Sequence, residues 1–281
     1  MNYTLMRFPD FRYKAVTLSY DDNAVYDKTL AALLDKYGMK CTFNLNSERF
    51  AKTSGGRMMT EGEAIGLLKN SVHEVAVHGE DHLSLAELDR AAACKEVLFD
   101  RINLERSFNA VIKGMAYANG SYDDKVIEVL KSAGIKYART VKASHSFDIP
   151  SDWLRLAPTC HHGDSELASL MKEFLKDYEE NDHYLHKKPK LFYLWGHASE
   201  FNDHNEWHII QEFCDTVGNR ADVWYATNGE IYDYVKAFEN LEYSVSGKII
   251  NNPTALDLYI VHRGKEIKVP SGKTVYISEK E

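Results

Sequence analysis

Apolar and polar positions alternate along the first 240 residues in a repeating way. Short runs rich in β-branched and aromatic residues give way to helical patterns, beginning with Ala15 to Tyr20 and then residues 24–38, AVYDKTLAALLDKYG. In that helical stretch Leu30, Leu33, Leu34 and Tyr37 make one apolar stripe, and Gly38 stands where a helix commonly ends in the left-handed conformation. Strands are expected near 14–20, 40–45, 73–77, 112–117, 135–140, 153–157, 190–195 and 222–226, with helices between most of them. Thr60 with Glu63, and Ser84 with Glu87, have the spacing of capping boxes that open helices.

Seven or eight such units, with no GxGxxG after the first strand, predict a distorted (β/α) barrel over residues 1–240 rather than a dinucleotide-binding sheet. After residue 240 the pattern changes to LDLYIV, KEIKV and KTVYI, separated by HRGK and PSGK. Residues 241–281 therefore read as a small antiparallel β appendage, packed on the main domain rather than forming a sugar-binding module.

Composition narrows the function classes. With 34 basic and 42 acidic residues the formal charge is −8, so neither nucleic acid nor a membrane surface is expected as a partner. No apolar run suits a membrane span and the start lacks a signal-peptide layout, which predicts a cytoplasmic protein. Cys41, Cys94, Cys160 and Cys214 are widely spaced and read as reduced core thiols, although Cys160 beside His161 also merits reading as a catalytic thiol. Oligomeric state is not legible.

In a barrel, chemistry collects at the C-terminal strand ends. The first strand ends in Asp21-Asp22-Asn23, two adjacent carboxylates, although Asp22 or Asn23 also has the character of a helix cap. The third strand runs into His78-Gly79-Glu80-Asp81-His82. Two imidazoles four residues apart converge on one ion when the chain makes a helical turn, but 12 histidines give about half an HxxxH pair by chance. A second pair, His204 and His208, lies around Trp207 on an expected surface helix and reads as structural. Asp22, His78 and His82 share the rim and form a three-ligand set with open positions, the arrangement of a catalytic divalent ion. Leu191 to Gly196 delivers His197 to the same rim, where a single histidine after an apolar run reads either as a hydrogen-bonded structural residue or as a proton donor.

Together these segments resemble the NodB-like polysaccharide deacetylases, carbohydrate esterase family four, across about residues 12–230. The resemblance implies Asp21 as general base, Asp22, His78 and His82 as metal ligands, and zinc as the first metal, with cobalt or manganese as alternatives. It implies His197 as proton donor and the Asn119 backbone N–H as oxyanion donor. Departures are evident: Gly79 replaces a loop-steadying hydroxyl, Ala116 replaces the arginine that pairs with the base, and alanine follows His197. Arg139 is the candidate replacement partner for Asp21. Asp148, Asp152 and Glu200 are candidates to orient His197, and Trp153, Trp195 and Trp207 are candidates for stacking on sugar. The implied activity is metal-dependent removal of acetyl groups from N-acetylated sugars. Alternatives are an O-acetyl esterase or small-molecule amidohydrolase on the same site, or a catalytically silent carbohydrate-binding barrel.

Overall fold

Residues 14–21, KAVTLSYD, are buried on both faces, as expected of a parallel strand sandwiched between an interior and a helical layer. The computed structural model describes residues 4–179 and 181–277. Its elements in chain order are β1 (Thr4–Arg7), β2 (Lys14–Asp21), α1 (Asp27–Lys36), β3 (Cys41–Leu45), α2 (Glu61–Leu68), β4 (Glu74–Val77) and α3 (Arg90–Phe108). They continue with β5 (Gly114–Ala116), α4 (Asp124–Ser132), β6 (Tyr137–Arg139), β7 (Cys160–His161), α5 (Leu167–Leu175), β8 (Lys190–Gly196), α6 (Ala198–Asp203), α7 (Trp207–Val217), β9 (Val223–Tyr225) and α8 (Asn228–Glu239). The last five are β10 (Glu242–Tyr243), β11 (Ile249–Asn251), β12 (Leu258–His262), β13 (Lys265–Val269) and β14 (Thr274–Tyr276).

Strands β2 to β9 form one parallel sheet in the order β6-β5-β4-β3-β2-β8-β7, with β9 paired to the first residues of β2. The sheet curls into a distorted (β/α) barrel. Residues 156–161 bring its edges together: Leu156 bridges Arg139 of β6, while the Thr159 N–H bonds to the Tyr193 carbonyl of β8 at 2.8 Å. Outward residues of β2, Val16, Leu18 and Tyr20, share a core with Leu30 and Leu34 of α1. Inward residues are polar. Thr17 bonds to Asn228 at the start of α8, Ser19 accepts from Asn44, and Thr42 with Tyr137 bonds to Glu74.

Three sequence expectations change. The strand placed at 153–157 is a 3-10 turn at Trp153–Arg155, because the Asp152 side chain accepts the Leu154 N–H and curls the backbone; strand pairing resumes at Cys160. Thr60 and Glu63 form their capping box, but Ser84 does not cap a helix: α3 starts later, with Asp89 accepting the Ala92 N–H. Gly38 has φ +64° after α1, and Asp22 and Asn23 leave the cap position to Tyr26.

Beyond α8 the chain forms strands β10 to β14, which together with β1 build two antiparallel sheets, β1-β12-β13 and β10-β11-β14. β1 pairs with β12, Met6 opposite Ile260, so a division at residue 240 cuts across a hydrogen-bonded sheet. Ile250, Leu258, Ile260 and Val269 join Ala15, Leu191, Tyr193 and Tyr234 in one apolar cluster. No helix among the described residues is long and apolar enough to cross a membrane.

Candidate functional site

The end of β2 presents Asp21 inward and then turns sharply, with Asp22 at φ +81° and Asn23 at φ +44°. Asp21 is buried: its Oδ1 accepts from Asn44 Nδ2 at 2.7 Å and its Oδ2 accepts from Arg139 Nη2. Arg139, at the end of β6, is fully buried, donates to Ser19 as well, and lies 4.2 Å over the Trp195 ring. Burial alone would raise the Asp21 carboxyl, but Arg139, with His78 and His197, outweighs it and holds the group below its ordinary value.

His78 leaves β4 with its Nδ1 donating to the Ala116 carbonyl at 2.8 Å, which directs the Nε2 lone pair toward the two aspartates. Burial lowers its proton affinity against the pull of Asp21 and Asp22, keeping the ring neutral. Asp22 Oδ1 lies 3.4 Å from His82 Nε2 and 3.7 Å from His78 Nε2, and it is buried without a hydrogen bond. Donors bound about 2.0–2.1 Å from a tetrahedral zinc are themselves about 3.3 Å apart. Two imidazoles, one orphaned carboxylate oxygen and this spacing fit a divalent ion.

His197 closes the rim from β8. Its Nε2 lies 3.9 Å from Asp21 Oδ2 and 3.8 Å from Asp22 Oδ2, and its Nδ1 lies 3.1 Å from Glu200 Oε1. Burial opposes its charged form, but the Glu200 hydrogen bond and the charges of Asp21, Glu200 and Asp22 raise it to about 9. Glu200 lies in the first turn of α6 with His161 and His162 at its other oxygen, each 3.0 Å away. Burial would raise this carboxyl; the three imidazoles hold it well below the ordinary range.

Residues 9–138 match the sequence profile of the Polysaccharide deacetylase family. Over that stretch the chain is similar to the polysaccharide deacetylases. Among solved structures, a putative polysaccharide deacetylase from Mycobacterium smegmatis is 15% identical, with TM-score 0.53 over 84% of this chain and 94% of that one. A family 4 acetyl xylan esterase from Clostridium thermocellum in complex with a cobalt ion is 16% identical, with TM-score 0.53 over 78% and 91%. At these identities the likeness is one of fold. A Streptococcus pyogenes deacetylase in complex with acetate is 17% identical over 44% of this chain, with TM-score 0.41, and the match spans 55% of that protein. Comparison with curated protein sequences finds no match.

The departures from the deacetylase pattern have visible substitutes. At Gly79, φ is +88° and a Cβ would lie 2.8 Å from Glu96 Oε1. That oxygen accepts the N–H groups of Asp81 and Leu83 at 2.9 and 3.1 Å, so a carboxylate from α3 braces the loop that carries His82. Asn46 adds a second brace, donating from Nδ2 to the carbonyls of His78 and Gly79. The position of Ala116 is covered by the arginine of β6.

Not every sequence candidate reaches the site. Trp153 is buried in the other apolar cluster, edge-on to Tyr232 of α8. Asp148 bonds to Ser146, and Asp152 is occupied with Leu154 and Arg155, so Glu200 alone of the three carboxylates meets His197. Trp207 packs on Phe201, with ring centroids 5.2 Å apart. Trp195 is near the site but buried beneath Arg139. His204 ends α6 and His208 lies in α7, so the second HxxxH pair spans a helix break. Cys160 is buried and free, and burial pushes its thiol up to about 12, a poor state for a nucleophile. Asn119, at φ +55°, is tied through its side chain to Ser84; its backbone N–H donates to no acceptor among the described residues.

Asn44, Asn46 and Glu96 carry no local sequence signal for a place at the site. The pair His161 and His162 has a usable signal: once the seventh strand is placed at Cys160–His161, the strand-end rule selects both residues.

Proposed function

We propose that this protein is a metal-dependent hydrolase that removes acetyl groups from N-acetylated sugars. The observation that carries the reading is the buried Asp21–Arg139 pair, set beside the Asp22, His78 and His82 cluster and facing His197. Asp22, His78 and His82 would hold the ion, which when bound supplies Lewis-acid polarisation of the acetyl carbonyl and a more acidic water. Zinc suits this ligand set, with cobalt or manganese as alternatives.

Asp21, kept ionised by Arg139 and Asn44, accepts the proton of the attacking water. Arg139 at Oδ2 and Asn44 at Oδ1 each occupy one lone pair of this carboxylate, fixing its orientation and leaving a lone pair free for the proton. The Asn119 backbone N–H stabilises the tetrahedral oxyanion. His197 carries a proton at neutral pH, and its Nε2 delivers it to the departing amine, while Glu200 at Nδ1 fixes the ring. The products are acetate and a free amine.

Asp21→Asn is expected to lower turnover of N-acetylated oligosaccharides by about 100-fold or more while metal content stays near wild type. Turnover at the wild-type rate, measured as acetate release, would overturn the mechanism. An ester needs less leaving-group protonation than an amide, so His197→Ala distinguishes deacetylation of amides from esterase action. Loss of about 100-fold on amides with little loss on activated esters is expected; equal losses on both would exclude this proton-donor role.

A further inference from the structure

Outside the Asp22 cluster, two other groups among the described residues bring three ligating side chains together: Glu80, Asp81 and Glu96, and His161, His162 and Glu200. Glu96 is already committed to the backbone of the 79–83 loop. The second group has no such explanation.

His161 Nε2 and His162 Nε2 each lie 3.0 Å from Glu200 Oε2, yet that oxygen is buried and accepts no aligned hydrogen bond. Three ligating atoms therefore converge, held by charge attraction rather than by aligned hydrogen bonds. Their separations approach the roughly 3.3 Å edge of a tetrahedral site with 2.0–2.1 Å bonds. The rings are held from behind. His162 stacks on Tyr20 and packs on Phe201, with its Nδ1 against Gly196 and without a partner. His161 stands edge-on to Trp195 with centroids 4.7 Å apart. All three side chains come from a strand end or a helix first turn, so little ordering is left for a ligand to impose.

We propose that His161, His162 and Glu200 form a second divalent-cation site, distinct from the Asp22, His78 and His82 site and suited to a borderline ion such as zinc or cobalt. One contact must change on binding. His161 Nδ1 accepts the Gly163 N–H at 3.0 Å, which puts the proton of the neutral ring on Nε2. An ion at Nε2 requires the other neutral tautomer: Nε2 releases its proton to solvent, Nδ1 takes one up from solvent, and the exposed Gly163 N–H turns to solvent. Because Glu200 Oε1 holds His197 Nδ1, a second ion and His197 would share one carboxylate.

The test is cobalt(II) titration of chelator-treated full-length protein, followed by visible absorption and elemental analysis, with folding checked by circular dichroism. Wild type is expected to take up about two ions per chain, and His78→Ala/His82→Ala about one. Adding His161→Ala and Glu200→Gln to that variant should remove the remaining ion. His161→Ala alone, at a partly exposed position, should weaken the second binding event by about tenfold or more. A folded His78→Ala/His82→Ala protein that binds no cobalt overturns the proposal, as does an ion that survives the fourfold substitution. If wild type binds a single ion that disappears with His161→Ala/Glu200→Gln, the second site stands and the Asp22 site fails instead.

Discussion

His197 couples two charge clusters through one ring, with its Nε2 toward Asp21 and Asp22 and its Nδ1 on Glu200. Its proton affinity, raised to about 9 from an ordinary 6.5, is therefore also a statement about stability. A group whose folded-state affinity is raised stabilises the fold fully below its unfolded value, and the contribution is lost as pH rises through the folded value. In metal-free protein, wild type should exceed His197→Gln by on the order of 1–3 kcal/mol more at pH 6 than at pH 10. Urea denaturation at the two pH values measures this, and an equal difference at both would show that the carboxylates do not hold the imidazolium. Asp21 behaves oppositely, because Arg139 supplies a fixed positive charge that keeps the buried carboxylate ionised. Its strand-end position makes Arg139 a candidate for this pair, but 118 residues separate the two members, and only sheet order brings β6 and β2 to one interior.

Elements position the site by bracing loops as much as by delivering residues. The 79–83 loop hangs from Glu96 of α3, and Asp100 of the same helix accepts the His78 N–H at 3.0 Å. Glu96→Ala strands two backbone N–H groups, so a loss of about 1–3 kcal/mol is expected. His82 should loosen with the loop, weakening cobalt binding at the Asp22 site by about tenfold or more. Urea denaturation and cobalt titration check the two effects; unchanged metal affinity in a destabilised variant would mean that the loop does not orient His82. The position was visible in the sequence only as a missing hydroxyl at Gly79. Its substitute comes from another element, so no local pattern announces it.

At the scale of the molecule, the terminal strand β1 and the C-terminal β12 are hydrogen-bonded, and their apolar side chains pack with those of the lower barrel. We propose that barrel and appendage unfold together. Thermal unfolding followed by far-ultraviolet circular dichroism and tryptophan fluorescence should give one coincident transition, since Trp153 lies in the shared cluster and Trp195 at the rim. Two separate transitions would identify the appendage as an independent module. What the sequence by itself determined is what depends on near neighbours: the βα rhythm, the Thr60 cap, the left-handed Gly38, and the placement of Asp21, Asp22, His78, His82 and His197 at strand ends. These follow from period, backbone freedom and burial, which are local properties. Only the tertiary structure decided that Arg139 meets Asp21, that Glu96 replaces a hydroxyl, that Trp153 faces away from the rim, and that His161, His162 and Glu200 converge. Each of those depends on which strands are neighbours and how far the sheet curls, and contacts across a barrel leave no periodic trace along the chain.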